Sequence, residues 1–123
     1  MAKIFIIIGA ISAALSVIMG AFGAHALKSK LDEKALSVLH TGVEYQFYHA
    51  LGLLVIGLLL MNPQAPAGVK ATGWLFVAGT VLFSGSLYLL TLTGQRSLGI
   101  ITPFGGMAFI LGWLWLGFSY WKT

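Results

Sequence analysis

Polar side chains fall in clumps along this chain, and between the clumps the sequence stays apolar for long stretches. Ile4 to Gly23 carries no charge. Phe47 to Met61 is shorter, and reaches full length only if its helix begins upstream, near Val43. Ala71 to Thr93 is a third uncharged run, and Pro103 to Trp121 a fourth. A bilayer core takes about 20 residues of apolar helix to cross, so each run provides one crossing. Between them lie LKSKLDEKALSVLHTG, NPQAPAGVK and GQRSLGIIT, which hold the signals a helix boundary needs. Asp32 stands ahead of a helical pattern, Pro63 and Pro66 break the second connection, and Gly94 and Gly99 the third. Thr102 followed by Pro103 fits an N-cap with proline in the first helical position. The pattern predicts an all-α integral membrane four-helix bundle. It is one domain over residues 1–123, with helices at about 4–26, 43–61, 70–93 and 103–121.

Composition agrees: 59% of residues are hydrophobic and 8% charged, against about 25% charged in ordinary globular domains. A soluble bundle would need a polar face on every helix, and none of these runs has one wide enough. The N-terminal run ending in Ala24-His25-Ala26 imitates a signal peptide, but it is longer than the roughly 7–15 apolar residues such a segment carries. The absence of cysteine removes disulfides and thiolate chemistry. The net charge of +4 comes from basic residues scattered between apolar runs, which flank membrane segments rather than forming a stripe for nucleic acid. Their distribution leaves orientation a tie, with a slight lean towards the histidine-bearing side facing the cytoplasm.

Apolar burial does not drive helices together in lipid; close packing of small residues does. Ser12, Ser16, Gly20 and Ala24 form an i, i+4 stripe along the first segment, widened by Gly9 and Ala13. Ala108 and Gly112 make a small-xxx-small pair in the fourth, and Ser84-Gly85-Ser86 a small cluster in the third. These residues are expected at helix contacts. Trp113 and Trp115 fall towards mid-depth, where they fill space against glycines of another helix, whereas Trp74, Tyr120 and Trp121 suit the headgroup belt.

Four crossings gather all three acids and all three histidines on one membrane side, opposite Lys3, Lys70 and Lys122. Helical spacing puts His40, Glu44 and Tyr48 on one face and Tyr45 and His49 on another. A charge at this depth needs a partner, and Arg96 at the exit of the third segment is the nearest for Glu44. The expected site is a polar clasp of His25, Glu44, His49 and Arg96 with Tyr45 and Tyr88, the two histidines lying at similar depth. Three functions compete for it. A satisfied clasp fixes helix register in a non-enzymatic packing or interaction protein; Glu44 serves as the proton-coupled carboxylate of a small transporter or channel; or His25, His40, Glu44 and His49 hold zinc or haem. The first is preferred, with no catalytic constellation, no metal and no cofactor. Its expected partners are the lipid bilayer and either a second copy, as a homo-oligomer, or another membrane protein, with no nucleic acid. Nucleophilic hydrolysis has no support, because Ser84 and Ser86 lack a nearby base and there is no G-x-S-x-G elbow.

GAFGAHAL, EYQFYHAL, LFSGSLYLLTLTG and ITPFGGMAFILGW, in this order and spacing, resemble the small bacterial inner-membrane proteins of domain-of-unknown-function family 423. A related small transmembrane family exists in eukaryotes. The resemblance covers essentially the whole chain and implies a four-helix protein of the bacterial plasma membrane. It implies no activity. The signature positions include Gly20, Gly23, His25, Glu44, Tyr45, His49, Ser84, Gly85, Ser86, Tyr88, Pro103, Gly105 and Gly106.

Overall fold

A computed structural model describes all 123 residues. The first crossing is α1 (Ala2–His25) and the second α2 (Glu33–Leu60). The third is built from α3 (Ala67–Gly79), a π-helical turn at Thr80–Ser84 and α4 (Gly85–Thr93) in unbroken succession. A 3-10 segment at Arg96–Ile100 leads into the fourth, α5 (Thr102–Trp121). Each crossing is long and apolar enough to span a bilayer, and the chain is an all-α integral membrane protein.

Helix ends follow capping chemistry more closely than hydrophobicity. α2 starts at Glu33 rather than near Val43, because the Asp32 carboxylate accepts a hydrogen bond from the Ala35 amide at 2.7 Å. Its 28 residues span about 42 Å at 1.5 Å per residue, against a hydrocarbon core of about 30 Å. The first two turns therefore stand beyond the hydrocarbon. Gly94, at φ 75°, ends α4 in the left-handed conformation that glycine adopts without strain. The cap expected at Thr102 does not form. Ile101 is already helical, since the preceding 3-10 turn runs directly into α5, and the Thr102 hydroxyl is engaged elsewhere.

α1 lies along α2, α5 lies along the third crossing, and α2 meets the third crossing as a seam between the two pairs. The apolar core is Phe5, Leu53, Ile56, Val69, Phe76 and Phe109. Its members come mainly from the start of α1, the end of α2 and the start of α3, so it fills the bundle on the side away from the acids. The contact face of α1 is Phe5, Gly9, Ser12, Ser16 and Gly23. Gly20 is half-buried against Val43, but Ala24 is exposed. Strict i, i+4 spacing gains about 40° per step around a 3.6-residue helix; the stripe has rotated off α2 by Ala24, and Gly23 takes its place. Ser84 and Ser86 are buried, whereas Gly85 faces open space. On α5 the buried face is Gly105, Phe109, Gly112 and Ser119, with Ala108 half-buried beside it.

Candidate functional site

The polar side chains of the interior lie along the seam and pair with one another. Gln46 is buried on the α2 face turned to α1. Its amide nitrogen donates to the Ser12 carbonyl at 3.1 Å and to the Ser12 hydroxyl at 3.2 Å. Its amide oxygen accepts from the Tyr88 hydroxyl at 2.6 Å. One side chain thus ties three crossings together. Close by, the Ser84 hydroxyl donates to the Gly42 carbonyl at 2.7 Å, and Ser86 and Thr102 share a hydrogen bond of 2.5 Å. Deeper, the Thr72 hydroxyl donates to the Gly112 carbonyl at 3.2 Å.

His49 forms the second centre. It is 4% exposed, stacked on Phe109 with ring centroids 3.6 Å apart, and edge-on to Phe76. The Trp113 indole N–H donates to His49 Nε2 at 2.9 Å. Indole can only donate, so Nε2 carries its lone pair and the ring proton sits on Nδ1. Nδ1 lies 2.8 Å from the Tyr45 carbonyl and donates to it. The imidazole is neutral with both nitrogens engaged, which leaves it no lone pair for zinc or haem iron. Trp113 also covers Gly52, and Trp115 covers Gly68, so both fill space against glycines.

The clasp anticipated from the sequence is not assembled. Glu44 belongs to the outer face of α2, where His40 Nε2 lies 2.7 Å from one carboxylate oxygen and the Tyr48 hydroxyl donates to the other at 2.8 Å. Arg96 is exposed in the 3-10 segment and makes no ion pair; His25 is exposed at the end of α1. Tyr45 stacks on Phe83 at 4.9 Å and remains 40% exposed. The difference lies in depth. With α2 beginning at Glu33, His49 comes level with Gly9 and Ser12 of α1, and His25 stands about 20 Å further along that helix. The two histidines are not neighbours. Of the expected cluster, Tyr88 and His49 line the seam, each with a partner outside the set. Gln46, Trp113, Thr72 and Thr102 lie outside the expected set, Thr102 being expected as a helix cap and Trp113 as a filler against glycines. The signal available for Gln46 is an amide at the upstream edge of the second apolar run, where lipid obliges it to find partners.

Along the interior a single buried polar side-chain atom, Thr80 Oγ1, has no partner. The arrangement presents saturated donors and acceptors rather than a free nucleophile or base, and the outward carboxylate gives no support to a proton-coupled path through Glu44.

Residues 19–106 match the family model described as "Protein of unknown function (DUF423)". The chain is similar to the UPF0382 membrane protein YwdK of Bacillus subtilis, 54% identical over 112 residues and 91% of either chain. It is similar to the UPF0382 membrane protein SH2409 of Staphylococcus haemolyticus, 51% identical over 120 residues, 98% of this chain and 97% of the relative. The UPF0382 membrane protein SAB0533 of Staphylococcus aureus is 48% identical over 114 residues, 93% of this chain and 92% of its own. No solved structure matches.

Proposed function

Because the chain belongs to the DUF423 family, whose relatives are named as membrane proteins without an activity, we propose that it is a non-enzymatic packing and interaction protein of the membrane. Its interior polar groups serve helix register rather than chemistry. The observation that carries this reading is the mutual saturation along the seam: Gln46 joins Ser12 to Tyr88, and Trp113 holds the last lone pair of His49. A catalytic or transport site keeps a donor, acceptor or charge free for its substrate; here these groups are spent on each other. A satisfied network specifies one arrangement of helices, because each alternative register strands a polar group in hydrocarbon.

The test uses the purified protein in liposomes and in detergent. Proton-driven flux of cationic, anionic and neutral solutes is expected to stay at the level of empty liposomes. Trp113→Phe, which strands the buried His49 Nε2, is expected to cost about 1–3 kcal/mol and lower the melting temperature by several degrees. A solute flux abolished by Glu44→Gln, or a Trp113→Phe variant that melts like wild type, overturns the reading.

A further inference from the structure

The outward faces of α1, of the third crossing and of α5 are apolar through the hydrocarbon. The outward face of α2 is not. Counting back from Leu60, a hydrocarbon core of about 30 Å ends near His40. Glu44 lies one turn inside that limit, and its side chain is 41% exposed. The lysines and Arg96, by contrast, all stand in connections or in the terminal turns of their helices. A charge at membrane depth faces protein or pairs with it. Glu44 is bonded only to His40 and Tyr48, its own neighbours on α2. A carboxylate has roughly four acceptor sites, so about half of them are still free, and lipid chains have no donor to offer.

A donor lies next to it in the sequence. Tyr45 is exposed, its ring stacks on Phe83, and its hydroxyl, unlike that of Tyr48, makes no hydrogen bond. Within one helix the two cannot meet, because consecutive residues point about 100° apart. Glu44 and Tyr45 therefore stand on either side of a line through Tyr48, at depths that differ by about 1.5 Å. A twofold axis along the membrane normal preserves depth and exchanges the two sides. Each Glu44 then faces the partner's Tyr45. This is the self-complementarity that a contact between identical copies needs, whereas lipid matches neither residue.

We infer that a second copy of this chain covers the outer face of α2 in a parallel homodimer. Each Glu44 accepts from the partner's Tyr45 hydroxyl, and the Tyr48 rings lie at the centre. The inference rests on the interaction role proposed above and names its partner. The seam bonds leave α2 on other faces, so a failed dimer leaves the saturated seam as it is.

The test reads energy transfer between donor- and acceptor-labelled copies of the full chain in liposomes, diluted stepwise with lipid. The chain has no cysteine, so Thr123→Cys provides a single labelling point. Transfer is expected to exceed that of randomly distributed copies and to fall on dilution. Tyr45→Phe keeps the ring on Phe83 and should weaken association at least tenfold, since each dimer loses two bonds to a charged acceptor. In a Glu44→Gln background the same change should cost clearly less, the coupling that a direct contact gives. Leu114→Ala, on the exposed face of α5, should leave association unchanged. Melting of the dissociated variants in dilute detergent reports that they fold. Transfer at the random level overturns the inference, as does a Tyr45→Phe variant that associates like wild type. So does loss of association in Leu114→Ala, which would move the contact to another helix. Trp113→Phe tests the seam separately, and its melting tells a failed dimer from a failed packing role.

Discussion

The weight of a polar residue in this protein depends on which face of its helix it occupies, and Gln46 and Glu44 make the comparison on a single helix. Gln46 faces inward and has three hydrogen bonds to two other crossings, whereas Glu44 bonds only to residues one turn away on α2. Gln46→Leu removes the acceptor of Tyr88 and the donor to Ser12, leaving buried groups unpaired at about 1–3 kcal/mol. Tyr88→Phe in the same background should restore part of that loss, because it deletes one stranded hydroxyl. A double-mutant cycle read by thermal melting is expected to give a coupling of about 1 kcal/mol. Glu44→Gln, by contrast, should melt close to wild type, since it breaks no bond between crossings. Sequence reading ranked these two residues the other way. Formal charge favours Glu44, and the uncharged amide just upstream of the Phe47–Met61 run stays outside the expected clasp although lipid obliges it to find partners. His49 was legible as important but not as neutral, because its tautomer is fixed by Trp113 from a helix that spacing alone does not bring near.

At the scale of the element, the third crossing shows what the residue pattern could not. Ala71 to Thr93 reads as one uninterrupted helix, and its endpoints were legible within a few residues, but the π-helical turn at Thr80–Ser84 leaves no mark in hydropathy. The extra residue of that turn resets the facing of everything after it. It lets Ser84 reach Gly42, Tyr88 reach Gln46 and Ser86 reach Thr102. Deleting Val81, which is 65% exposed, should convert the turn to regular α-helix and rotate α4 by about 100°. All three bonds would be lost together. The deletion is expected to abolish a folded melting transition, where Val81→Ala leaves it nearly unchanged. The packing of α5 makes a similar point with glycines adjacent in sequence. A Cβ on Gly105 would fall on the backbone nitrogen of Phe83, while one on Gly106 meets nothing within 4 Å. Gly105→Ala should therefore cost about 1–3 kcal/mol by overpacking, and Gly106→Ala should be neutral or stabilising by up to about 1 kcal/mol through helix propensity. Both glycines belong to the TPFGG motif, so the motif by itself does not separate them.

The whole molecule is two helix pairs joined across a polar seam, and this architecture has a consequence that can be measured. Each pair carries its own internal bonds: Ser12 with Gln46 in the first, Ser86 with Thr102 and Thr72 with Gly112 in the second. Three further bonds cross between pairs, from Ser84 to the Gly42 carbonyl, from Tyr88 to Gln46 and from Trp113 to His49. Four crossings and the sidedness of the acids were legible from the apolar runs, because crossing number depends only on their length. The pairing across the seam was not, since it depends on helix rotation, which the π turn and the early start of α2 both alter. In lipid the hydrophobic effect gives the two pairs no reason to associate, so the seam must be held by close packing and these bonds. Cutting the chain in the connection between α2 and α3, at Pro63, should thus yield two fragments that insert separately and reassemble when co-expressed, recovered together through a tag on either one. Tyr88→Phe combined with Trp113→Phe removes two of the three crossing bonds while leaving the hydrogen bonds inside both helix pairs in place. In the split protein this combination is expected to reduce co-purification by about tenfold, a loss of roughly 1.4 kcal/mol in association. The same changes in the intact chain would lower its melting temperature without dispersing it, because the covalent connection keeps the pairs at high effective concentration. Undiminished co-purification of the doubly substituted halves would mean that glycine contacts alone hold the seam, and that its hydrogen bonds merely fill it.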